Sequence, residues 1–359
     1  MSKYHRLVIS DIRQDTPHAV VIEMAVPEDL EEEFSFQAGQ YVGVRADIDD
    51  TDVRRSYSIC SDPGEGVLRI GVKKVPGGLF STYANEILKV GDTVDIMPPL
   101  GKFIRKCDPK RKGQYVFFAS GSGITPVISL IKSHLREEPL SHITLFYGNR
   151  SVESIMFREE LEDLKNTNMK RLSVHHILSR ERQSGAFYNG RIDAEKCETF
   201  GKVFFIPKNV DQFFLCGPEA MIDDISTWLK SKGIHNDHIS FELFTSPTSR
   251  AFIADTGSEK TLADPDKESI VTVRIDGNAM EFNLAYGAEN ILEAAISAGA
   301  DAPFSCKGGV CCSCKAMLME GEVEMDVVYG LEPDEIEDGY ILTCQSHPRS
   351  ETILVDYDV

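Results

Sequence analysis

Long apolar runs are missing from this 359-residue chain. Apolar runs such as Val116–Ala119 and Phe213–Leu215 fall far short of the about 20 residues that a membrane-spanning helix needs. No charged, then apolar, then small-residue leader opens the sequence, and no internal repeat is visible. Basic residues are scarce as well, 38 Lys and Arg against 57 Asp and Glu, which leaves a net charge of −19. From Ser269 onward there are only 4 bases against 17 acids. Such a surface repels nucleic acid and anionic membrane, and suits a partner with a basic patch; acidity that serves only solubility is the plainer alternative. Paired cysteine spacings of a disulfide scaffold are lacking: Cys60, Cys107, Cys197, Cys216 and Cys312 stand apart, as expected where thiols stay reduced. These absences predict a cytoplasmic protein of two or three domains with no membrane partner.

The other four cysteines are spaced for a metal centre. Cys306, Cys311 and Cys314 follow C-x4-C-x2-C, and Cys344 comes from a separate element. This is the thiolate spacing of a plant-type [2Fe-2S] cluster. Gly308 and Gly309 let the loop bring backbone N–H groups close to inorganic sulfide. Zinc favours two separate C-x2-C pairs, and disulfides are rare in the cytosol, so the cluster is the better reading. Cys312 adjoins a ligand but cannot share its geometry, and is expected to be a small buried residue. Because such a cluster only passes single electrons, the rest of the chain should supply them.

Periodicity divides the chain into 1–108, 109–244, a linker at 245–268, and 269–359. The first part has short alternating strands at His18–Met24, Tyr41–Arg45, Val67–Val72 and Thr93–Met97, broken by Gly and Pro, which predicts an antiparallel β-barrel. The second alternates apolar strands at Tyr115–Ala119, Ile143–Tyr147, Val174–Leu178 and Gln212–Cys216 with helices over Val127–Arg136 and Met221–Lys232, an α/β parallel sheet. The linker is rich in Ser, Thr, Pro, Asp and Ala without clear periodicity.

Gly121, Gly123, Thr125 and Pro126 follow the first strand of the α/β part directly. Glycines there permit a tight turn and close approach of a pyrophosphate, with Pro126 starting the helix that meets its charge. The last position departs from G-x-G-x-x-G, and such turns also occur for packing alone. Cys216, Gly217 and Pro218 end a later strand, where a switch point would set them opposite the first loop. The barrel contributes Arg55, Tyr57 and Ser58, then Gly78, Ser81 and Thr82. An Arg can grip a pyrophosphate, a Tyr can cover an aromatic ring, and a Ser can reach a ring nitrogen, a set that suits a flavin.

With R-x-Y-S, G-x-x-S, G-x-G-x-x-P and C-G-P in this order, the chain resembles the ferredoxin–NADP reductase superfamily fused to a plant-type ferredoxin domain. Tyr147–Arg150, Gly190–Asp193 and Cys306–Cys311 are most similar to the reductase subunits of phenylacetyl-CoA epoxidases. The resemblance implies an α+β β-grasp fold for the last segment. It implies that Arg55 binds the FAD pyrophosphate, Tyr57 stacks on the isoalloxazine, Ser58 bonds near the hydride-accepting nitrogen, and Gly78, Ser81 and Thr82 hold the diphosphate. Gly121, Gly123, Thr125 and Pro126 would bind the dinucleotide pyrophosphate, with Cys216 and Gly217 beside the nicotinamide. Glu242 and Phe244 resemble the family's acid–aromatic pair near the flavin, with core packing the alternative for Phe244.

Arg150, Arg180 and Arg191 resemble the positions that hold the 2′-phosphate of NADPH, although any of them could be plain solvated surface. No strand-end acid suited to the NAD ribose stands out. The implied enzyme takes a hydride from NADPH onto FAD and sends single electrons through the [2Fe-2S] cluster to a di-iron oxygenase that epoxidises phenylacetyl-CoA. Ser58, Cys216 and Glu242 are its expected catalytic residues. A reductase for another hydroxylase or for a hybrid-cluster protein uses the same motifs. A non-enzymatic ferredoxin-like carrier is the reading from another class.

Overall fold

Alternation of inward apolar and outward polar residues builds the first sheet of this computed structural model, which describes residues 4–244 and 267–359. The expected linker at 245–268 lies almost wholly outside the described residues. The chain forms two units, one of Tyr4–Val53 and Tyr57–Phe244, the other of Arg54–Ser56 and the described residues from 267 onward.

Six antiparallel strands open the first unit: β1 (His5–Thr16), β2 (Ala19–Ala25), β3 (Tyr41–Ile48), β4 (Thr51–Ser58), β5 (Leu68–Lys73) and β6 (Thr93–Ile96). Their order is β4-β3-β6-β1-β2-β5, and a bridge between Ile59 and Ile70 joins the two ends, closing the barrel. Leu7, Ile9, Val20, Ile22, Val42, Val44, Val72 and Ile96 fill it, with Phe80 from helix α1 (Leu79–Glu86). β1 is absent from the strands expected above, because beyond Ile9 its residues are largely exposed and the apolar alternation fades.

A parallel sheet follows: β7 (Gln114–Ser120), β8 (His142–Asn149), β9 (Leu172–Leu178), β10 (Gln212–Gly217) and β11 (Ile239–Leu243), in the order β11-β10-β7-β8-β9. Helices α2 (Ile124–Glu137), α3 (Arg158–Thr167), α4 (Ala194–Val203) and α5 (Glu219–Ser231) form its crossovers. Strand order reverses between β7 and β10, so their carboxyl ends frame the crevice where ligands of such sheets bind. α2 starts at Ile124 after a 3-10 turn over Gly121–Gly123, earlier than expected. Pro126 therefore sits within the first turn, where its missing N–H costs nothing. Ala19, Val21 and Cys60 of the barrel share one core with Val127, Ile128 and Ile131 of α2.

The second unit is α+β. β12 (Glu268–Ile275), β13 (Asn278–Ala285), β14 (Lys315–Glu320), β16 (Tyr340–Leu342) and β18 (Thr352–Asp356) form a mixed sheet ordered β13-β12-β18-β14-β16. Helix α6 (Ile291–Ser297) packs Leu292 and Ala295 with Val271, Val273, Ile353 and Val355. β15 (Val323–Met325) pairs with β17 (Ser346–Pro348), and the short α7 (Pro333–Glu337) lies between β15 and β16.

Candidate redox and nucleotide sites

The loop between α6 and β14 brings Cys306, Cys311 and Cys314 together, and Cys344 arrives from the end of β16. All four are buried, at most 9% exposed, and none is in a disulfide. Thr343 joins the two pieces: both its N–H, at 3.2 Å, and its hydroxyl, at 3.0 Å, donate to the Cys314 carbonyl. Donors aim at the sulfurs. Cys306 N–H lies 3.3 Å from Cys311 Sγ, Gly308 N–H 3.2 Å from Cys306 Sγ, and Gln345 Nε2 3.3 Å from Cys344 Sγ. Each such bond favours thiolate over thiol. Cys311 is drawn down to about 6, chiefly by the neighbouring Cys306, and Cys344 is drawn down chiefly by Cys314. Four converging thiols with N–H groups turned on them suit two irons and their bridging sulfides.

Backbone geometry explains the glycine in this loop. Gly309 has φ +77°, and a Cβ there would stand 2.9 Å from Gln345 Cγ. Cys312 departs from expectation: it is half-buried with φ +52°, and its Sγ donates to the Gly330 carbonyl, away from the ligand role.

In the first unit, the barrel and the parallel sheet bring Ser58 to Glu242. The serine hydroxyl donates to Glu242 Oε2 at 3.0 Å. Burial pushes the Glu242 carboxyl up to about 8, and the bond from Ser58 holds it lower than burial alone would. Tyr57 lies on the same strand end, its ring 5.3 Å from that of Phe80 in a tilted arrangement. Arg55 folds back to donate to the Arg54 carbonyl at 2.7 Å. Gly78 precedes α1, whose first turn has no side-chain cap. Ser81 accepts from Val75 N–H and donates to the Gly78 carbonyl, and Thr82 N–H bonds the same carbonyl. The uncapped N–H groups of that turn are available to an anion.

The turn after β7 is shaped by close approach. Gly121 has φ +56°, and its carbonyl accepts from Tyr147 Oη at 2.9 Å. A Cβ on Gly123 would strike the Cys216 carbonyl, so this loop and the C-G-P strand end are in contact, as expected from the switch point. Thr125 and Pro126 are buried. Thr125 Oγ1 donates to the Ser122 carbonyl at 3.0 Å, so its hydroxyl helps to build the turn. Cys216 is wholly buried, its thiol pushed well up by burial and then by Glu242. Phe244 is 42% exposed, which excludes core packing for it.

Parallel register sets Arg150 beside Arg180: the Arg180 N–H donates to the Arg150 carbonyl at 2.8 Å. Arg150, Arg180 and Arg191 are exposed, and among the described residues none has a carboxylate partner. Sequence reasoning missed Lys73. Its Nζ lies 3.6 Å from where a Cβ on Gly121 would stand, and no described carboxylate pairs with it. Burial, and then the charge of Arg150, lowers its pKa. A partly buried cation beside another cation, with no anion, leaves room for an anionic ligand.

Cys107, His134 and Glu138 also place three metal-ligating types within 4.8 Å of one another. Glu138 is already saturated there, accepting from Asp108 N–H, Arg111, Tyr115 Oη and Ser141 Oγ. The trio is a structural knot.

Comparison with known proteins identifies the domain families. Residues 10–104 match the oxidoreductase FAD-binding domain family, residues 117–227 the oxidoreductase NAD-binding domain family, and residues 273–349 the 2Fe-2S iron-sulfur cluster binding domain family. The chain is 40% identical over 358 residues to one subunit of the 1,2-phenylacetyl-CoA epoxidase of Escherichia coli, covering 100% of this chain and 99% of that one. It is 30% identical over 353 residues to the ferredoxin reductase component of 3-ketosteroid-9-alpha-monooxygenase of Rhodococcus rhodochrous, covering 98% and 96%. Among solved structures it is similar to phthalate dioxygenase reductase, with a TM-score of 0.59, 25% identity and 98% of each chain covered. The chain belongs to the family of iron–sulfur flavoprotein reductases that join an FAD-binding, an NAD-binding and a 2Fe-2S domain in one polypeptide.

Proposed function

We propose that this reductase draws electrons from NADPH and delivers them singly to a di-iron oxygenase, the one that epoxidises phenylacetyl-CoA. The full-length likeness to a component of the Escherichia coli epoxidase carries the choice of acceptor. FAD, when bound, accepts a hydride and parts with its electrons one at a time, and the [2Fe-2S] cluster carries them singly.

The chain's own residues bind, orient and hold protons. Cys306, Cys311, Cys314 and Cys344 hold the irons as thiolates. Arg55 and the uncapped start of α1 at Gly78, Ser81 and Thr82 face the FAD pyrophosphate, and Tyr57 covers the ring. Ser58 Oγ and Glu242 Oε2 form a proton-holding pair at the flavin, because a carboxyl pushed up to about 8 is largely protonated near neutrality. Cys216 and Gly217 line the nicotinamide side of the crevice, and Phe244, exposed beyond Glu242, covers that opening. Gly121 and Gly123 let the dinucleotide pyrophosphate approach backbone. Arg150, Arg180 and Arg191 lack carboxylate partners among the described residues, which supports their taking the 2′-phosphate. Domain limits near 108, 244 and 268 and a cytoplasmic setting complete the reading, the latter supported by nine unpaired cysteines.

The test is reconstitution. With the phenylacetyl-CoA oxygenase component, the FAD- and cluster-loaded protein should oxidise NADPH only when phenylacetyl-CoA and O2 are present, and epoxide should form in step. Fast ferricyanide reduction without coupled epoxide would leave the reductase intact and overturn the choice of acceptor.

A further inference from the structure

The barrel and the dinucleotide half of the first unit meet along β5. A methyl group on Gly71 would stand 2.8 Å from Thr125 Cγ2, 3.1 Å from Phe157 Cζ and 3.2 Å from Met156 Cε. Backbone of the barrel thus touches both the phosphate-loop turn and the start of α3. Lys73, two residues on, reaches Gly121.

Phe157 is the unusual partner. It is 2% exposed, yet its backbone is left-handed, with φ 56° and ψ 29°. Bulky residues avoid that conformation unless something outside holds it. The holder comes from the far end of β1: an Asp15 carboxylate oxygen accepts from Phe157 N–H at 2.9 Å, across 142 residues of sequence. Burial pushes the Asp15 carboxyl up, the Phe157 N–H and Arg13 draw it down, and Glu160 and Glu159 push it up. The segment from Arg150 to Phe157 is therefore tied at two ends. Its start is bound to the end of β9, through Arg180 N–H on the Arg150 carbonyl and Val152 N–H on the Glu181 carboxylate. Its finish is bound to the barrel by Asp15.

We infer that Asp15 is a positioning residue for the dinucleotide site. By holding left-handed Phe157 from the barrel, it fixes the turn that begins at Arg150, and with it the place of Arg150 relative to Lys73, which lies beside Gly121. Without that acceptor, Phe157 relaxes toward an ordinary conformation, the turn shifts, and the two cations part. Affinity for the dinucleotide falls while flavin, cluster and the chemical step are untouched. The inference rests on reading the Gly121 turn as the phosphate site.

Asp15→Ala and Asp15→Asn in the FAD- and cluster-loaded full chain decide it, assayed as NADPH–ferricyanide reduction and by NADP+ difference titration. Asp15→Ala should raise KM and the NADP+ Kd about three- to tenfold, the size of one lost hydrogen bond, with kcat and the visible spectrum unchanged. Asp15→Asn keeps an acceptor oxygen and should restore both to within about twofold of the parent, since the bond survives without the charge. A parallel fall in kcat, flavin content and affinity without rescue by Asn would mean a merely structural role. If Asp15→Ala does not fold, Gly71→Ala, which wedges the same seam, should give the same KM rise; an unchanged KM there overturns the inference. Lys73→Ala separates the two readings. Should it raise KM while Asp15→Ala does not, only the role of Asp15 fails; should it leave KM unchanged, the phosphate-site reading itself fails.

Discussion

Ser58 and Glu242, 184 residues apart, share a 3.0 Å hydrogen bond that joins the end of a barrel strand to the last strand of the parallel sheet. The bond matters because the acid it meets is not an ordinary carboxylate: burial pushes it from 4.5 up to about 8. Between those pH values the folded chain keeps a proton that the unfolded chain has released. Stability from this group is therefore full below 4.5 and is lost as pH rises toward 8. Glu242→Gln keeps a neutral acceptor for Ser58 and should flatten the fall in Tm over that window, and remove an activity limb near pH 8. Tm measured at several pH values in parent and variant checks this; equal slopes would refute the protonated state.

Replacing Cys344 by Ser should abolish the cluster absorption and its electron paramagnetic resonance signal, yet leave NADPH–ferricyanide activity, because flavin reduction lies upstream. Cys312→Ser should change the cluster spectrum little, since the Cys312 thiol is turned to the Gly330 carbonyl. Loss of the cluster in the second variant would show that the ligand set is wrong.

Arg180→Ala should weaken NADPH and spare NADH. A charge-assisted contact is worth about 1.5–3 kcal/mol, and exposure favours the lower end, so the NADPH/NADH preference should drop about tenfold. Steady-state kinetics with both nucleotides at two ionic strengths will read it; an unchanged ratio removes Arg180 from the 2′-phosphate site.

Lys73→Ala should behave differently. Lying beside Gly121, it meets the pyrophosphate common to both nucleotides, so KM should rise for NADPH and NADH alike, by about tenfold. A selective loss of NADPH binding would move Lys73 to the 2′-phosphate.

The parts of this protein that depend on local spacing were legible in its sequence. Cys306, Cys311 and Cys314 lie in one loop, and a cluster demands that spacing whatever surrounds it. Strand periodicity likewise separated barrel, parallel sheet and cluster domain, because a period of two against 3.6 is written residue by residue. Tertiary structure decided what depends on distant surfaces meeting. Thr125 and Pro126 read as nucleotide contacts; that both are buried, with Gly71 of β5 close to the Thr125 methyl, shows only in the fold. Phe244 could have been core until the end of β11 left it exposed. Arg150 and Arg180 become neighbours only through the parallel register of β8 and β9. Lys73 and Asp15 carried no motif at all, since their partners, Gly121 and Phe157, belong to another half of the fold. Burial and close approach are sums over side chains far apart in the chain, so no local pattern records them.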